Sequence, residues 1–291
     1  MDNTKNLLET ALHFEVSVAP EDYIGERMLL YCGKCKTPKQ AKILDYQHIK
    51  YFNKRKLPIM CECAKKKFDE ENKREEAEAF KRKIERLRRD GLTDPEYSNW
   101  TFDKDDMQNA SISMACRKYV DEWSQMKADN VGLLFKGNVG TGKTFYACCI
   151  ANALLEKGIP TLVTNFPRLL RILQATAFGK KKEDPQEIDI LDKLQKYELV
   201  VIDDLGVERS TEYAMEQIFS AIDTRYRSGK PLIVTTNLGN EDLKSSADIA
   251  QQRIYDRILQ ICPVQVNITG ASRRRAIGRE KYNKYQDFLG F

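Results

Sequence analysis

Apolar residues in the second part of the chain follow two patterns that alternate along the sequence. Uninterrupted apolar runs are typical of strands buried on both faces, and apolar residues spaced three to four apart are typical of helices with one buried face. Helical spacing separates the runs, so the sequence predicts an α/β fold with a parallel sheet between helices. The predicted strands lie within residues 131–136, 160–166, 199–206, 231–237 and 264–268.

The first part of the chain lacks this alternation. Residues 64–91 are rich in charges of both signs and carry a sparse apolar stripe, which predicts an exposed helix that ends at Gly91. The sequence therefore predicts three parts: an N-terminal module at 1–63, a charged linker helix at 64–91 and an α/β domain at 92–291. The basic segment after residue 270 is expected to lead into a C-terminal tail.

The composition is that of a folded protein without a membrane segment. Charged residues make up 31% and hydrophobic residues 42% of the 291 positions, which is enough for a sizeable core and one or two domains. No apolar run approaches the roughly 20 residues of a membrane span. The N-terminus lacks the basic and apolar regions of a secretory signal, so we expect a cytoplasmic protein.

The net charge of +5 is unevenly distributed: the excess lies in residues 1–90 and is densest at 31–56. A basic surplus favours contact with nucleic acid or with an acidic protein surface. A charged surface that contacts only solvent is an equally good interpretation.

Four cysteines form two close pairs in the basic N-terminal region. Cys32 and Cys35 form C-x-x-C, and Cys61 and Cys63 form C-x-C after a gap of 25 residues. Two such pairs predict a tetrahedral, structural zinc site, because thiolates bind zinc well and four of them leave no open position. Two alternatives stay open: His48 replaces one cysteine, or the four thiols are simply reduced residues of a small module.

The segment GNVGTGKT, residues 137–144, has the spacing G-x-x-x-x-G-K-T of a phosphate-binding loop. It lies between a predicted strand and a predicted helix, so glycine N–H groups and the helix N-terminus can face phosphate oxygens. The lysine would reach the β- and γ-phosphates, and the threonine hydroxyl would bind Mg²⁺. The predicted ATP-binding residues of this loop are Gly137, Asn138, Val139, Gly140, Thr141, Gly142, Lys143, Thr144 and Phe145.

Polar residues end two further predicted strands. Asp203 and Asp204 follow the apolar run LVVI, and Asn237 follows LIVTT. Ligands bind at the carboxyl ends of parallel strands, which predicts that all three side chains lie near the phosphates. Asp203 would hold Mg²⁺, Asp204 would orient or deprotonate the attacking water, and Asn237 would share that water. Capping carboxylates at a strand end are the alternative.

Basic residues also mark the insertion after the second predicted strand. Such residues could follow a phosphodiester backbone, and an exposed helix pair with a solvated turn is an equally good interpretation. The candidate DNA-binding residues are Arg168, Arg171, Lys180, Lys181 and Lys182.

These motifs, in this order, resemble the AAA+ ATPases, specifically the replicative helicase loaders of DnaC/DnaI type and the related transposition helper IstB. The resemblance covers residues 92–278, and the cysteine module is similar in kind to the N-terminal domain of DnaI-like loaders. The resemblance implies that residues 137–144 are the Walker A loop, that Asp203 and Asp204 are Walker B, and that Asn237 is sensor 1. Most AAA+ proteins have Glu at the position of Asp204, so hydrolysis is expected to be slow.

Four arginines acquire roles through the same resemblance. Arg257 matches the arginine finger that reaches the γ-phosphate of a neighbouring protomer, with Arg253 as a second candidate. Arg274 matches the sensor 2 arginine that contacts ATP. Relatives often have Tyr where this chain has Arg273, which leaves the choice between Arg273 and Arg274 open.

The resemblance implies an oligomeric ATPase that uses ATP and Mg²⁺ and loads a hexameric DnaB-type helicase onto single-stranded DNA. The cysteine module, with Zn²⁺, would contact the helicase, and the ATPase domains would associate with one another. Two alternatives are kept: an IstB-like transposition helper, and a nucleotide-gated DNA-binding adaptor with little turnover.

Overall fold

The computed structural model describes residues 17–42, 56–177, 190–206, 212–239, 241 and 249–290. The chain forms two compact units, residues 1–81 and 82–291. Among the described helices, none combines the length and the hydropathy that a bilayer span needs. The three-part division into 1–63, 64–91 and 92–291 stays a prediction.

The first unit is built on two short antiparallel strand pairs. Strand β1 (Tyr23–Ile24) pairs with β2 (Leu30–Tyr31), and β3 (Gln40–Lys42) pairs with β4 (Lys56–Pro58). Helix α1 (Glu62–Gly91) begins in this unit and ends in the second one. The last residue of this helix, Gly91, has no room for a side chain, because a Cβ there would lie 2.1 Å from the carbonyl oxygen of Thr161.

The second unit alternates strands and helices, as the apolar pattern predicts. Two 3₁₀ turns (Pro95–Asn99 and Phe102–Lys104) precede its first helices. The helices are α2 (Ala110–Asp121), α3 (Trp123–Ala128), α4 (Lys143–Glu156), α5 (Phe166–Ala177), α6 (Ile190–Lys196), α7 (Glu212–Arg227), α8 (Ile249–Ile261) and α9 (Arg273–Leu289). The strands are β5 (Leu133–Lys136), β6 (Thr161–Asn165), β7 (Leu199–Leu205), β8 (Leu232–Thr236) and β9 (Val264–Asn267).

The five strands form one parallel sheet in the order β6-β7-β8-β5-β9. Two clusters of buried apolar side chains cover its two faces, which is why the strands read as continuous apolar runs. The predicted fold class is therefore confirmed. Because β5, β8 and β7 are neighbours, the loop after β5 lies beside the ends of the strands that carry Asn237 and Asp203.

The segment expected to be a C-terminal tail forms helix α9 instead. Ser272 caps this helix, since its side chain accepts a hydrogen bond from the N–H of Arg275. Beyond the first turn most of its described side chains are exposed, so local capping rather than burial sets where the helix begins.

A buried arginine connects three elements near the amino ends of β7 and β8, whereas the phosphate loop lies at the carboxyl ends of the strands. Arg225 of α7 is fully buried, and its guanidinium donates hydrogen bonds to the carbonyl oxygens of Leu194, Tyr197, Glu198 and Pro231. Burial lowers its pKa to about 9. Leu194 lies in α6, Tyr197 and Glu198 follow that helix, and Pro231 precedes β8, so one side chain joins α6, α7 and β8.

Arg225→Met is expected to lower the free energy of unfolding by about 3–5 kcal/mol, because four carbonyl groups, those of Leu194 and Pro231 in buried contacts, lose their donor. Arg227→Met is the matched control on the same helix, since that side chain is exposed and pairs with Asp223; it is expected to cost less than about 1 kcal/mol. Urea unfolding monitored by circular dichroism measures both. Equal effects of the two changes would contradict this role of Arg225.

Candidate nucleotide-binding site

The phosphate loop connects β5 to α4 through a backbone that requires glycine. Gly137, Gly140 and Gly142 have φ values of 146°, 80° and 105°, in the region that side chains disfavour. A Cβ on Gly137 would lie 2.1 Å from the carbonyl oxygen of Ile268, and one on Gly140 would lie 2.2 Å from Oγ of Ser272. The first two glycines are therefore needed for close packing as well as for backbone conformation.

The lysine of the loop lies inside it. Lys143 is buried, and its ammonium group donates hydrogen bonds to the carbonyl oxygens of Gly137 (2.9 Å) and Asn138 (2.8 Å) and to Oδ1 of Asn237 (2.6 Å). Burial lowers the pKa of Lys143, and the carboxylates of Asp204 and Asp203 oppose that shift. The structure thus brings together the predicted lysine and the predicted asparagine, which are 94 positions apart.

The predicted magnesium ligands also meet. The Thr144 hydroxyl donates to Oδ1 of Asp203 at 2.8 Å, and the Thr235 hydroxyl donates to the same oxygen at 2.5 Å. Burial raises the pKa of Asp203, and the hydrogen bond from Thr235 opposes the shift. A hydroxyl and a carboxylate at this distance fit a hard cation, so Thr144 and Asp203 are the residues that would hold Mg²⁺.

A β-bulge in β7, which the sequence did not predict, sets the direction of the Asp204 side chain. Ile202 pairs with Val234 and Leu205 with Thr236, so two residues of β7 face one residue of β8. Asp204 has φ of 58° within this bulge, and its N–H donates to the Thr235 hydroxyl at 3.0 Å. A bulge of this kind re-aims a side chain, and Asp204 lines the cavity beside the loop.

The cavity beside the phosphate loop has a volume of about 690 Å³, within the range of small-molecule sites. Lys143, Thr144, Asp204 and Asn237 form one side of it. Phe145, the last predicted residue of the loop segment, also lines the cavity. Further parts of the lining come from the segment before α2 and from α9, of which the resemblance had singled out Arg274 and Arg273. These residues include Trp100, Lys104, Asp106, Gln108, Arg273, Arg274 and Ile277.

The candidate arginine fingers lie elsewhere in the second unit. Arg257 of α8 pairs with Oδ1 of Asp223 at 3.4 Å, and its guanidinium lies 4.3 Å from the ring centre of Tyr226. Arg253, one turn earlier, is exposed. Neither lines the cavity of its own chain. Their roles stay a prediction.

The four predicted metal ligands lie together in the first unit. The sulfur atoms of Cys32, Cys35, Cys61 and Cys63 are all within 4.8 Å of one another. Cys63 lies 3.5 Å from Cys32 and 3.4 Å from Cys61. Four thiolates around a tetrahedral zinc are about 3.8 Å apart, so this cluster can hold a metal ion without a fifth residue. His48 lies outside the described residues.

Two polar residues that the sequence analysis missed support this cluster. The Thr37 hydroxyl accepts a hydrogen bond from the N–H of Glu62 at 3.0 Å and lies 3.0 Å from the sulfur of Cys35, whose pKa it lowers. Asp22 accepts from the N–H of Gly33 at 3.1 Å, between the first two cysteines. Thr37 therefore favours the thiolate of Cys35, and Asp22 fixes the backbone between Cys32 and Cys35, so both residues would orient metal ligands.

The candidate DNA-binding residues fall in two groups. Arg168 and Arg171 are exposed on α5. Lys180, Lys181 and Lys182 lie outside the described residues. Their contact with DNA stays a prediction.

Several known proteins are similar to this chain. Replicative helicase loader DnaC of Escherichia coli K12 is 27% identical over 162 residues, which cover 56% of this chain and 62% of DnaC. Replicative helicase loader DnaI of Bacillus subtilis is 24% identical over 153 residues, 49% of this chain and 47% of DnaI. The chain therefore spans less than two thirds of these relatives.

A solved structure of DnaI has the same fold, with a TM-score of 0.50 and 23% identity, and the match covers 63% of this chain and 95% of that one. Residues 68–281 match the family described as IstB-like ATP binding protein. This segment is more than half of the chain and contains the whole phosphate-loop site. The resemblance drawn from the motifs is thus confirmed: the protein belongs to the IstB-like ATP binding protein family, and its relatives include the helicase loaders DnaC and DnaI.

Proposed function

We propose that this protein is an ATP-dependent loader of a hexameric DnaB-type replicative helicase onto single-stranded DNA. The observation that carries the proposal is the similarity to the helicase loaders DnaC and DnaI in a chain whose phosphate-loop residues are assembled around one cavity. The description of the family as ATP binding supports the cavity beside Lys143 as the nucleotide site.

The chain's own residues would bind and position the nucleotide. The loop N–H groups and Lys143 hold the phosphates, and Asp204 and Asn237 orient the attacking water. Thr144 and Asp203 would hold Mg²⁺, which would neutralise phosphate charge when bound. Water orientation by an aspartate instead of a longer glutamate gives slow hydrolysis, so bound ATP acts mainly as a switch between assembled and released states.

The N-terminal module would contact the helicase. The basic composition of residues 31–56 and the cluster of four cysteines support this assignment. The ATPase domains of several chains would associate and grip single-stranded DNA through the insertion after β6.

The test is size-exclusion chromatography with light scattering of this protein mixed with a replicative helicase, with and without ATP and Mg²⁺. A co-eluting complex that transfers the helicase to single-stranded DNA only with ATP is the expected result. Lys143→Ala protein is the control for the nucleotide requirement. Failure to form a complex under every nucleotide condition would contradict the proposal.

A transposition helper is the second candidate, and the IstB-like description of the matching family favours it. Such a protein would bind double-stranded DNA and a transposase. Comparing affinity for single- and double-stranded DNA in the presence of ATP separates the two: a strong preference for the duplex would support the helper and weaken the loader.

Arg257→Ala is expected to lower ATP hydrolysis by about 10³-fold while ATP binding is retained, because an arginine finger stabilises the transition state in a neighbouring site. The loss of the Asp223 ion pair is expected to cost less than about 1 kcal/mol of stability. The arginine acts in trans, so mixing Arg257→Ala with Lys143→Ala protein should restore turnover. Full activity of Arg257→Ala alone would exclude Arg257, and Arg253→Ala would then be measured in the same mixing assay.

A further inference from the structure

Helix α9 is strongly basic, and the nucleotide cavity involves only its first turns. In the sequence of this helix six residues are Arg or Lys and two are Asp or Glu. The described lining of the cavity ends at Glu280. Nucleotide binding therefore does not explain the second half of α9, residues 281–289.

Four large apolar side chains in this second half are exposed. Tyr282 is 63%, Tyr285 48%, Phe288 82% and Leu289 63% exposed. They recur every three or four positions, so they lie along one side of the helix. A contiguous row of exposed apolar side chains marks an interaction surface.

Helix geometry directs this row away from the nucleotide cavity. Glu280 lines the cavity, and Tyr282 follows it by two residues, which is about 200° around the helix axis. Tyr285 and Leu289 continue in the direction of Tyr282 at intervals of three and four residues. We call this side the outer face of α9. Its residues include Arg275, Lys281, Tyr282, Tyr285, Phe288 and Leu289.

The outer face combines positive charge with aromatic rings. Arg275 and Lys281 are exposed, and the ammonium group of Lys284 lies 5.4 Å from the ring centre of Tyr285. The acidic Glu280 lies on the cavity side instead. A surface of this kind attracts a polyanion and offers ring planes on which unpaired bases can stack.

A glycine opens the middle of the outer face. Gly278 lies three residues after Arg275 and four before Tyr282, and a Cβ there would meet nothing within 4 Å. Glycine is disfavoured inside a helix relative to alanine, and the described surroundings of Gly278 do not require it. Its missing side chain leaves a gap between the arginine and the first ring, where another molecule can approach the backbone closely.

A single strand of nucleic acid fits this chemistry better than other macromolecules do. The bases of a duplex are already stacked on one another, so its interior gives the exposed rings nothing to stack on. The same face of a second copy would bring cations of like sign together. An acidic protein surface would pair with the cations but would place charged groups against the rings.

We propose that the outer face of α9 binds single-stranded DNA. Tyr282, Tyr285 and Phe288 stack on successive bases, since side chains three apart have Cβ atoms about 5–6 Å from one another. Arg275 and Lys281 hold the phosphates. This surface is distinct from the insertion after β6, so it adds a second strand contact to the proposed function, and it does not depend on the helicase.

The test measures the affinity of the full-length protein, with ATP and Mg²⁺, for two fluorescent strands by anisotropy. One strand is oligodeoxythymidylate, and the other has the same sugars and phosphates but no bases. Tyr285→Ala and Phe288→Ala are each expected to weaken oligodeoxythymidylate about tenfold and the abasic strand less than about twofold, because only the former loses a stacked base. Asn283→Ala, an exposed residue of α9 outside the outer face, is the matched control and should bind both strands normally.

Removal of the cations should affect both strands equally. Arg275→Gln and Lys281→Gln are each expected to reduce the slope of log affinity against log salt by about 0.7, the contribution of one phosphate contact on a single strand. Lys118→Gln, which changes an exposed lysine of α2, should leave the slope unchanged.

Filling the gap separates binding from folding. Gly278→Leu should stabilise the helix, because leucine has a much higher helix propensity than glycine. The same change is expected to weaken both strands, since the new side chain occupies the space at the backbone. A loss of affinity in a variant with a more stable helix cannot result from unfolding.

Three results would overturn the inference. Unchanged affinity of Tyr285→Ala and Phe288→Ala for oligodeoxythymidylate would exclude the outer face, and loss of a helicase complex or of self-association in these variants would make it a protein contact. Equal losses for the abasic strand would show that the rings do not stack on bases. Tighter binding of a duplex than of either strand by the wild type would reject the single strand as occupant. Absence of a helicase complex with these affinities intact would reject the loader proposal alone.

Discussion

Lys143→Ala is expected to lower ATP turnover by about 10³-fold or more, because the ammonium group supplies the main fixed positive charge at the β- and γ-phosphates. This group donates hydrogen bonds to two loop carbonyls and to Asn237. These are the positions from which it would turn toward a phosphate. Alanine removes the charge and leaves the three acceptors without that donor, so nucleotide affinity should fall as well.

The measurements are calorimetric ATP binding and phosphate release with Mg²⁺, each with single-stranded DNA present and absent. Lys157→Ala is the matched control, since Lys157 caps the other end of the same helix and contacts Val120 and Asp121. It should retain wild-type affinity and turnover. Turnover by Lys143→Ala protein comparable with that of the wild type would exclude the assigned site.

Removal of metal is expected to unfold the described part of the N-terminal unit and to leave the second unit folded. Within its described residues, 17–42 and 56–81, the first unit has two strand pairs of two or three residues each, and few apolar side chains there are buried. A structural zinc site contributes on the order of 10 kcal/mol of apparent folding free energy in small domains. Metal binding is thus expected to supply the folding free energy that this small core cannot supply by itself.

Metal content and hydrogen exchange test this expectation together. Purified protein should contain one zinc per chain, and a chelator should remove it and abolish amide protection in residues 17–42 and 56–61. Cys35→Ser should lose the metal, whereas Cys116→Ala, which changes a buried cysteine of α2, should keep it. Full protection after chelation would show that the four thiols need no metal.

The positions of the strands and of the phosphate loop followed from local pattern. A strand buried on both faces must be apolar throughout, so residues 133–136, 161–165, 199–205 and 232–236 were recognisable without any tertiary information. The loop was recognisable because only glycines fit its backbone and because lysine and threonine perform fixed tasks at phosphate oxygens. Asp203 followed from a rule of topology, since parallel strands end at one edge.

Residues that act through contacts with distant parts of the chain have no local sequence pattern that marks them. Thr235 looks like any strand residue, and only the pairing of β7 with β8 places its hydroxyl on Asp203 and creates the bulge that turns Asp204. Asp106 and Arg273 are 167 positions apart, so their ion pair depends on how α9 packs onto the phosphate loop. Exposed charged residues have no periodicity to mark a partner, because solvent satisfies them equally well in isolation.

The sequence by itself determined the order of strands and helices along the chain, the chemistry of the phosphate loop and the four candidate metal-binding cysteines. Each of these depends on residue type at short spacing. The tertiary structure alone decided which side chains outside the phosphate loop and the strand ends line the nucleotide cavity. That lining depends on the long-range packing of α9 and of the Asp105–Gln108 loop, where Arg273 lies 3.1 Å from Asp106.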